Sequence, residues 1–124
     1  MPSRDFKRTD RVAAELRREI ALLVHAAVRD QGLPSVSVSD VEVTRDLEMA
    51  TVWVTALLSE QSVTAVKALN HLAHAFRREL AHAMRLRRVP EIRFKYDDSV
   101  DRGERIEQLL RQDILPHLRD AEEH

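Results

Sequence analysis

The spacing of apolar residues changes three times along this chain of 124 residues, and the order of those changes limits the folds it can adopt. A helical spacing extends from about Arg4 to Arg29. Two strand-like runs follow, Val38 to Thr44 and Thr51 to Leu58. The helical spacing returns from Ser62 to Leu86, and strand-like alternation resumes from Ile92 to Tyr96. The pattern predicts an α+β fold with the order helix, strand, strand, helix, strand.

The first predicted helix has one apolar side and one cationic side. Its apolar residues recur at the spacing that places them on a single stripe, and they are Val12, Leu16, Ile20, Leu23, Val24 and Ala27. Basic residues fall on the opposite side of the same helical projection, namely Arg4, Lys7, Arg8, Arg11 and Arg18. Gly32 and Pro34 are expected to end the helix, since neither residue favours its continuation.

The two runs rich in β-branched residues predict an antiparallel hairpin. A polar turn from Arg45 to Met49 separates them. In the second run Trp53, the only tryptophan, shares one face of the strand with Thr51. Val52 and Val54 share the other face. The sequence alone leaves open which of the two faces is buried.

The second helical segment carries another cationic stripe. Its polar side aligns four residues at steps of seven, four and seven, which are Lys67, His74, Arg78 and Arg85. Pro90 ends this helical region, because the residue before a proline is restricted to extended conformations. In the last predicted strand Arg93 and Lys95 alternate with apolar residues, so this strand has one basic face.

Composition excludes several classes of protein. No apolar run approaches the ~18–20 residues that a membrane span needs, and the N-terminus lacks the features of a signal peptide. We therefore expect a cytoplasmic protein without a membrane partner. With no cysteines, neither disulfides nor thiol nucleophiles can form. With only two glycines, neither a Walker loop nor a GxxG clamp can be written.

Residue spacings typical of metal sites occur in this sequence only as single motifs, without the further ligands that such sites need. His71 and His74 are three residues apart, and Glu79 with His82 has the Glu-x-x-His spacing of carboxylate-bridged metal centres. Such centres need a second copy of the motif and further converging ligands. The sequence contains no second copy. We therefore predict neither a metal site nor catalysis, and no cofactor.

The net charge of -1 conceals an alternation of basic and acidic stretches. Residues 1–29 have a net charge of +3 and residues 63–96 of +6, whereas residues 30–62 and residues 97–124 each have -5. A basic surface attracts polyanions. We predict one domain over residues 1–98, followed by a charged tail over residues 99–124 that is partly helical or disordered.

Three segments resemble bacterial ribosome-binding factor A. They are RVAAELRREI from Arg11 to Ile20, VSDVEVTRDLEMATVWVT from Val38 to Thr55, and LNHLAHAFRRELAHAMRLRRVPEIRFKYDDS from Leu69 to Ser99. The most characteristic pieces are Asp46-Leu47 with Ala50 in the hairpin, and the series Arg85-Leu86-Arg87, Pro90, Phe94 and Asp97. The resemblance covers most of residues 5–110.

This resemblance implies a KH-like type II domain, α-β-β-α-kink-α-β, whose three-stranded sheet has its helices on one face. It also implies a non-enzymatic factor that binds the pre-small ribosomal subunit during late rRNA maturation and supports growth at low temperature. The family has an interhelical Ala-x-Gly kink in place of a GxxG loop. Ala73, His74 and Ala75 occupy that position here, and alanine tolerates a positive φ less readily than glycine does.

The leading hypothesis is a monomeric assembly factor that binds folded rRNA of the small ribosomal subunit through basic faces. The residues predicted to contact RNA are Arg4, Lys7, Arg8, Arg11, Lys67, Arg78, Arg85, Arg87, Arg88, Arg93 and Lys95. The alternative is a protein-interaction module whose acidic middle and tail dock a ribosomal protein or an assembly GTPase. A steep fall of affinity with salt would distinguish the first hypothesis from the second.

Overall fold

The computed structural model describes the backbone of residues 4–84, 86–99 and 109–110, and the side chains of those ranges from Arg8 onward. The order of elements is the predicted one. The elements are helix α1 (Arg4–Gln31), strands β1 (Val36–Val43) and β2 (Met49–Ala56), a 3₁₀ turn (Ser59–Gln61), helix α2 (Ser62–Met84) and strand β3 (Glu91–Tyr96). Within the described ranges, no helix combines the length and the apolar character that a membrane crossing needs.

The three strands form one sheet in the order β1-β2-β3. β1 and β2 are the predicted antiparallel hairpin, in which Val41 pairs with Val52. β3 lies parallel to β2, and Phe94 also pairs with Val52. A parallel neighbour requires a crossover, since the chain must return to the same end of the sheet. Helix α2 supplies that crossover.

Both helices pack on the same face of the sheet, as predicted. The apolar stripe of α1, represented by Leu16 and Ile20, shares one core with Leu69 and Leu80 of α2. On β2 the residues that face this core are Ala50, Val52 and Val54, all of which are fully buried. The face of β2 that the sequence left open is thereby assigned, because the face with Trp53 lies away from the helices.

Aromatic contacts join α2 to the last strand in the core. The rings of Phe76 and Phe94 meet edge to face, with 5.9 Å between their centroids, an arrangement that aromatic pairs favour. Phe94 is one of the largest fully buried side chains. The position of β3 against α2 therefore depends on this pair and on the aliphatic residues around it.

Helix α2 is not divided where the resemblance implied a kink. It runs as one helix of 23 residues through Ala73, His74 and Ala75. The chain thus has a single helix where two helices were expected. The physical reason is the local sequence, because alanine is the strongest helix former and no glycine occurs there to adopt a positive φ.

The hairpin turn is held by the side chain of Asp46. Its Oδ1 accepts hydrogen bonds from the Thr44 hydroxyl at 2.6 Å and from the Glu48 main-chain N–H at 3.0 Å. These bonds, that from Thr44 first, hold the pKa of the Asp46 carboxyl below its ordinary value. Leu47 at the tip has a φ of 59°, a left-handed conformation that is rare for such a side chain.

Candidate nucleic-acid interface

A groove of about 590 Å³ lies between α2 and the outer edge of β3. We call it the α2–β3 groove. Its lining residues are Asn70, Ala73, His74 and Arg77 from α2, and Glu91, Ile92, Arg93, Phe94 and Lys95 from β3. Three of these side chains are permanent cations and one is an acid. A wall of this charge favours a polyanion over the apolar ligands that fill most small-molecule pockets.

Asn70 closes part of the strand edge inside the groove. Its Oδ1 accepts a hydrogen bond from the Phe94 N–H at 2.8 Å, and its Nδ2 donates to the Phe94 carbonyl at 3.1 Å. The Glu91 N–H instead donates to the Glu48 carbonyl at 2.8 Å, so alternate residues of β3 face β2. Asn70 therefore occupies the main-chain groups that an added peptide strand would need at Phe94.

Arg77 links the wall of the groove to the loop that precedes β3. Its Nε and Nη2 donate hydrogen bonds of 3.1 and 2.9 Å to the Val89 carbonyl. Val89 itself is buried in the core. This double contact holds residues 86–90 against α2. The guanidinium therefore positions the loop that carries Arg87 and Arg88.

A second concave surface, which we call the turn cleft, lies where the start of α1 meets the hairpin turn and the loop before β3. Its volume is about 150 Å³. The cations that line it are Arg8, Arg87 and Arg88, and Asp46 is the acid beside them. All four side chains are exposed. The fold thus brings together basic residues from two segments that are far apart in the sequence.

The turn cleft and the α2–β3 groove adjoin each other. A shallow depression between them is lined by Glu48, Met49, Arg77, Arg88 and Glu91. Arg88 belongs to the turn cleft and Arg77 to the groove, so the two cations join the surfaces. Arg88 forms an exposed ion pair of 3.5 Å with Glu48. Exposed pairs of this kind contribute ~0–1 kcal/mol, so a phosphate can compete for the arginine.

Five of the eleven residues predicted to contact RNA lie on this continuous surface, namely Arg8, Arg87, Arg88, Arg93 and Lys95. Arg11, Lys67 and Arg78 are exposed on the helices but line neither the groove nor the cleft. The side chains of Arg4 and Lys7, and the whole of Arg85, lie outside the described residues.

The residues predicted to contact RNA did not include Asn70, His74 or Arg77, although His74 was placed both on the cationic stripe of the second helix and at the kink. A signal for them exists in the helical spacing. Asn70, His74 and Arg77 follow Lys67 at steps of three and four, which places all four residues along one side of α2. Their partners on β3 and in the preceding loop could not be read from that spacing.

The open face of the sheet borders the groove. Lys95 extends over the ring of Trp53, with 5.8 Å from Nζ to the ring centroid, a distance typical of a cation–π contact. Asp40 and Glu42 lie on the other side of this face, on β1, where they pair with Trp53 and Thr51. Positive charge on this face is therefore concentrated toward β3.

The part of the chain that the structure describes contains no cluster of three or more histidine, cysteine, aspartate or glutamate side chains that could hold a metal ion. His71, His74 and His82 are exposed on α2. Together, the fold and its cationic edge define a KH-like α+β domain with a surface suited to a polyanion.

Comparison with known proteins agrees with this class. The family model for ribosome-binding factor A matches residues 8–110. Ribosome-binding factor A from Xanthomonas euvesicatoria is 58% identical over 125 aligned positions, which cover 99% of this chain and 96% of that protein. The chain belongs to the ribosome-binding factor A family.

Structures of family members share the fold. The crystal structure of ribosome-binding factor A from Thermus thermophilus is 27% identical, with a TM-score of 0.61, and the match covers 71% of this chain and 93% of that one. A homology model of the Thermus thermophilus protein, fitted into a cryo-EM map of a 30S complex, is 26% identical, with a TM-score of 0.60 over the same shares of the two chains.

Proposed function

We propose that this protein is an assembly and maturation factor that binds the pre-small ribosomal subunit through its rRNA. The observation that carries the proposal is the continuous and predominantly cationic surface formed by the turn cleft and the α2–β3 groove. The Thermus thermophilus relative fitted into a map of a 30S complex supports the choice of particle. Ribosomal RNA is a polyanion, and its phosphates are the charged groups that a binding protein meets most often.

The geometry favours recognition of the RNA backbone. Arg88 can exchange its exposed partner Glu48 for a phosphate, and Arg93 extends from the exposed side of β3 into the groove. Arg77 keeps its place because both of its hydrogen bonds go to the Val89 carbonyl. Aromatic residues make up only 4% of the chain, so binding relies on phosphates and shape rather than on stacked bases.

Further parts of the proposal rest on the sequence and on family membership. The factor acts without catalysis, in the cytoplasm and as a monomer, during late rRNA processing and in growth at low temperature. Residues 1–98 serve as the binding domain and residues 99–124 as a charged tail. An assembly GTPase is a candidate partner on the same particle.

Co-sedimentation with small ribosomal subunits tests the proposed surface. The variant Arg88→Glu/Arg93→Glu reverses two charges on the surface. We expect it to bind at least tenfold more weakly. The slope of log affinity against log salt concentration should decrease in magnitude by about 2, because two phosphate contacts are lost and each contributes roughly 0.9 to that slope.

The matched control is Arg17→Glu/Arg18→Glu, which makes the same change of charge at two exposed positions of α1 that line neither the groove nor the cleft. Its affinity should change far less. Equal losses in the two variants would assign binding to net charge rather than to this surface. A wild-type affinity that does not depend on salt would favour the alternative of a protein-interaction module.

A further inference from the structure

The end of the sheet opposite the hairpin turn exposes aliphatic side chains. Leu57 is 78% exposed and Val63 is 77% exposed, and Leu58 between them is also largely accessible. A cleft of about 310 Å³ continues from Leu57 along that end of the sheet, past Ala56 and Tyr96. We call Leu57, Leu58 and Val63, with this cleft, the apolar end.

The main chain at the apolar end is held in place. The Leu57 N–H donates a 2.9 Å hydrogen bond to the Ser35 carbonyl, and the Gln61 N–H donates one of 2.9 Å to the Leu58 carbonyl. The 3₁₀ turn then leads directly into α2, where Ser62 is buried. The exposed side chains are therefore presented by an ordered turn. A preorganised surface loses less entropy on binding than a loose one does.

The charge around the apolar end is acidic. No lysine or arginine occurs at positions 30–44 or 49–66, whereas Glu60 lies in the 3₁₀ turn and Asp97 follows Tyr96 directly. Lys67, one helical turn after Val63, is where basic residues resume along α2. Acidic residues beside aliphatic side chains repel phosphate and attract cations.

We propose that the apolar end docks a lysine- and arginine-rich polypeptide segment that carries aliphatic or aromatic anchor residues. The inference rests on the proposed function, since such a segment would belong to a protein component of the particle whose rRNA the basic surface binds. The aliphatic side chains and the cleft accept the anchors, and the exposed Glu60 faces the basic residues.

The charge and the small size of the apolar end favour a short basic segment over a second copy of the chain, RNA or a folded domain. A second copy of the chain in a two-fold contact would bring Glu60 against like charges, because such a contact joins the same patch on both subunits. RNA would bring its phosphates against the same acids. Three aliphatic side chains and one small cleft are also much less than the ~800 Å² per partner of a standard protein interface, which suits a short segment better than a folded domain.

The test is a comparison of two binding targets, intact small subunits and protein-free rRNA of the small subunit. The variant Leu57→Ser/Val63→Ser removes the two most exposed anchors. We expect it to bind intact subunits about tenfold more weakly and to bind protein-free rRNA as the wild type does, since truncation of an anchor at the centre of an interface has an effect of that order. Leu22→Ser is the control, because Leu22 is 63% exposed on α1, outside the apolar end.

A photo-crosslinking amino acid at position 57 identifies what lies there. In complexes with intact subunits it should form a ribonuclease-resistant adduct that mass spectrometry assigns to a basic protein of the subunit, whereas the same group at position 22 should not. An adduct with RNA, an adduct with a second copy or with the chain's own tail, or equal affinity of variant and wild type for subunits would each overturn the inference. If the wild type binds neither target, the proposed function itself fails.

Discussion

The two ends of the sheet differ in how they are assembled. The turn cleft at one end combines the start of α1, the hairpin turn and the loop before β3, and the adjoining groove adds α2 and β3. The exposed aliphatic side chains of the apolar end come from residues 57–63, a single continuous segment, and only its cleft adds residues 35–37 and Tyr96. The basic surface thus depends on contacts between distant segments, whereas the exposed side chains of the apolar end belong to one short segment.

This difference has consequences for the two surfaces. A change that loosens only the loop before β3 should disperse the cations, because their proximity depends on contacts between distant segments. The apolar end should retain its shape under the same change, since its turn is held by main-chain hydrogen bonds of Leu57 and Gln61. Substitutions of graded severity can therefore separate the two surfaces.

Phe94→Ala should have the largest effect on stability, and it should destabilise both ends of the sheet together. Phe94 is fully buried and packs edge to face on Phe76. Large-to-small changes of a buried phenylalanine cost ~3–5 kcal/mol of unfolding free energy. Urea unfolding followed by circular dichroism and by the fluorescence of Trp53, the only tryptophan, should give one common midpoint, lowered for both probes. Separate midpoints would show that the ends do not share one cooperative core.

Arg77→Ala should affect the basic surface more than the apolar end. It removes both hydrogen bonds to the Val89 carbonyl, and bonds from a charged donor contribute roughly 1.5–3 kcal/mol. Affinity for rRNA should fall as well, because the loop with Arg87 and Arg88 loses its support. Arg78→Ala is the matched control, an exposed neighbour whose loss should change the unfolding free energy by less than about 0.5 kcal/mol. Equal destabilisation by the two variants would contradict the role assigned to Arg77.

Asn70→Ala should have a smaller effect, on the edge of β3. The side chain makes two hydrogen bonds to Phe94, and we expect a loss of about 1–2 kcal/mol in unfolding free energy. Asn70→Asp keeps the acceptor for the Phe94 N–H but loses the donor to its carbonyl, so it should fall between alanine and the wild type. Amide hydrogen exchange at Phe94 should quicken in the alanine variant. Unchanged exchange there would show that Asn70 does not protect the edge.

Asp46 should produce the smallest effect, one that depends on pH. Because hydrogen bonds from Thr44 and Glu48 lower the pKa of its carboxyl in the folded state, its contribution to stability is full above the unfolded pKa of about 4. The contribution is lost as the pH falls through the lower, folded value. Asp46→Asn should therefore have a lower melting temperature than the wild type at pH 6. The difference between the two melting temperatures should narrow as the pH falls below about 4. A difference in melting temperature that does not change with pH would show that the effect does not come from ionisation of the Asp46 carboxyl.

The fold could be predicted from the sequence because its elements follow from local periodicity. The order of elements was correct, and β3 was located to within one residue at its start. The runs predicted from Val38 and Thr51 begin two residues earlier in the structure, at Val36 and Met49. Strand ends depend on cross-strand hydrogen bonds, which apolar alternation does not report. The division of α2 came from the resemblance, and local alanine propensity overrode it.

The candidate site was only partly predictable. Charge density indicated Arg93 and Lys95, because permanent cations on a strand are visible in the sequence. The roles of Asn70 and Arg77 depend on carbonyl and amide groups that are 24 and 12 residues away. No local pattern encodes such partners. The apolar end was missed for a similar reason, since exposure of Leu57 and Leu58 can be judged only once the rest of the core is complete.

The parallel pairing of β3 with β2 has a consequence for the order in which the surfaces form during synthesis. The hairpin and the exposed aliphatic residues of the apolar end lie in about the first half of the chain, but the α2–β3 groove needs the last strand of the sheet. Chains emerge from the N-terminus, and non-local pairings form late. A nascent chain released before Tyr96 would have no groove, so we expect affinity for rRNA to arise only near the end of translation.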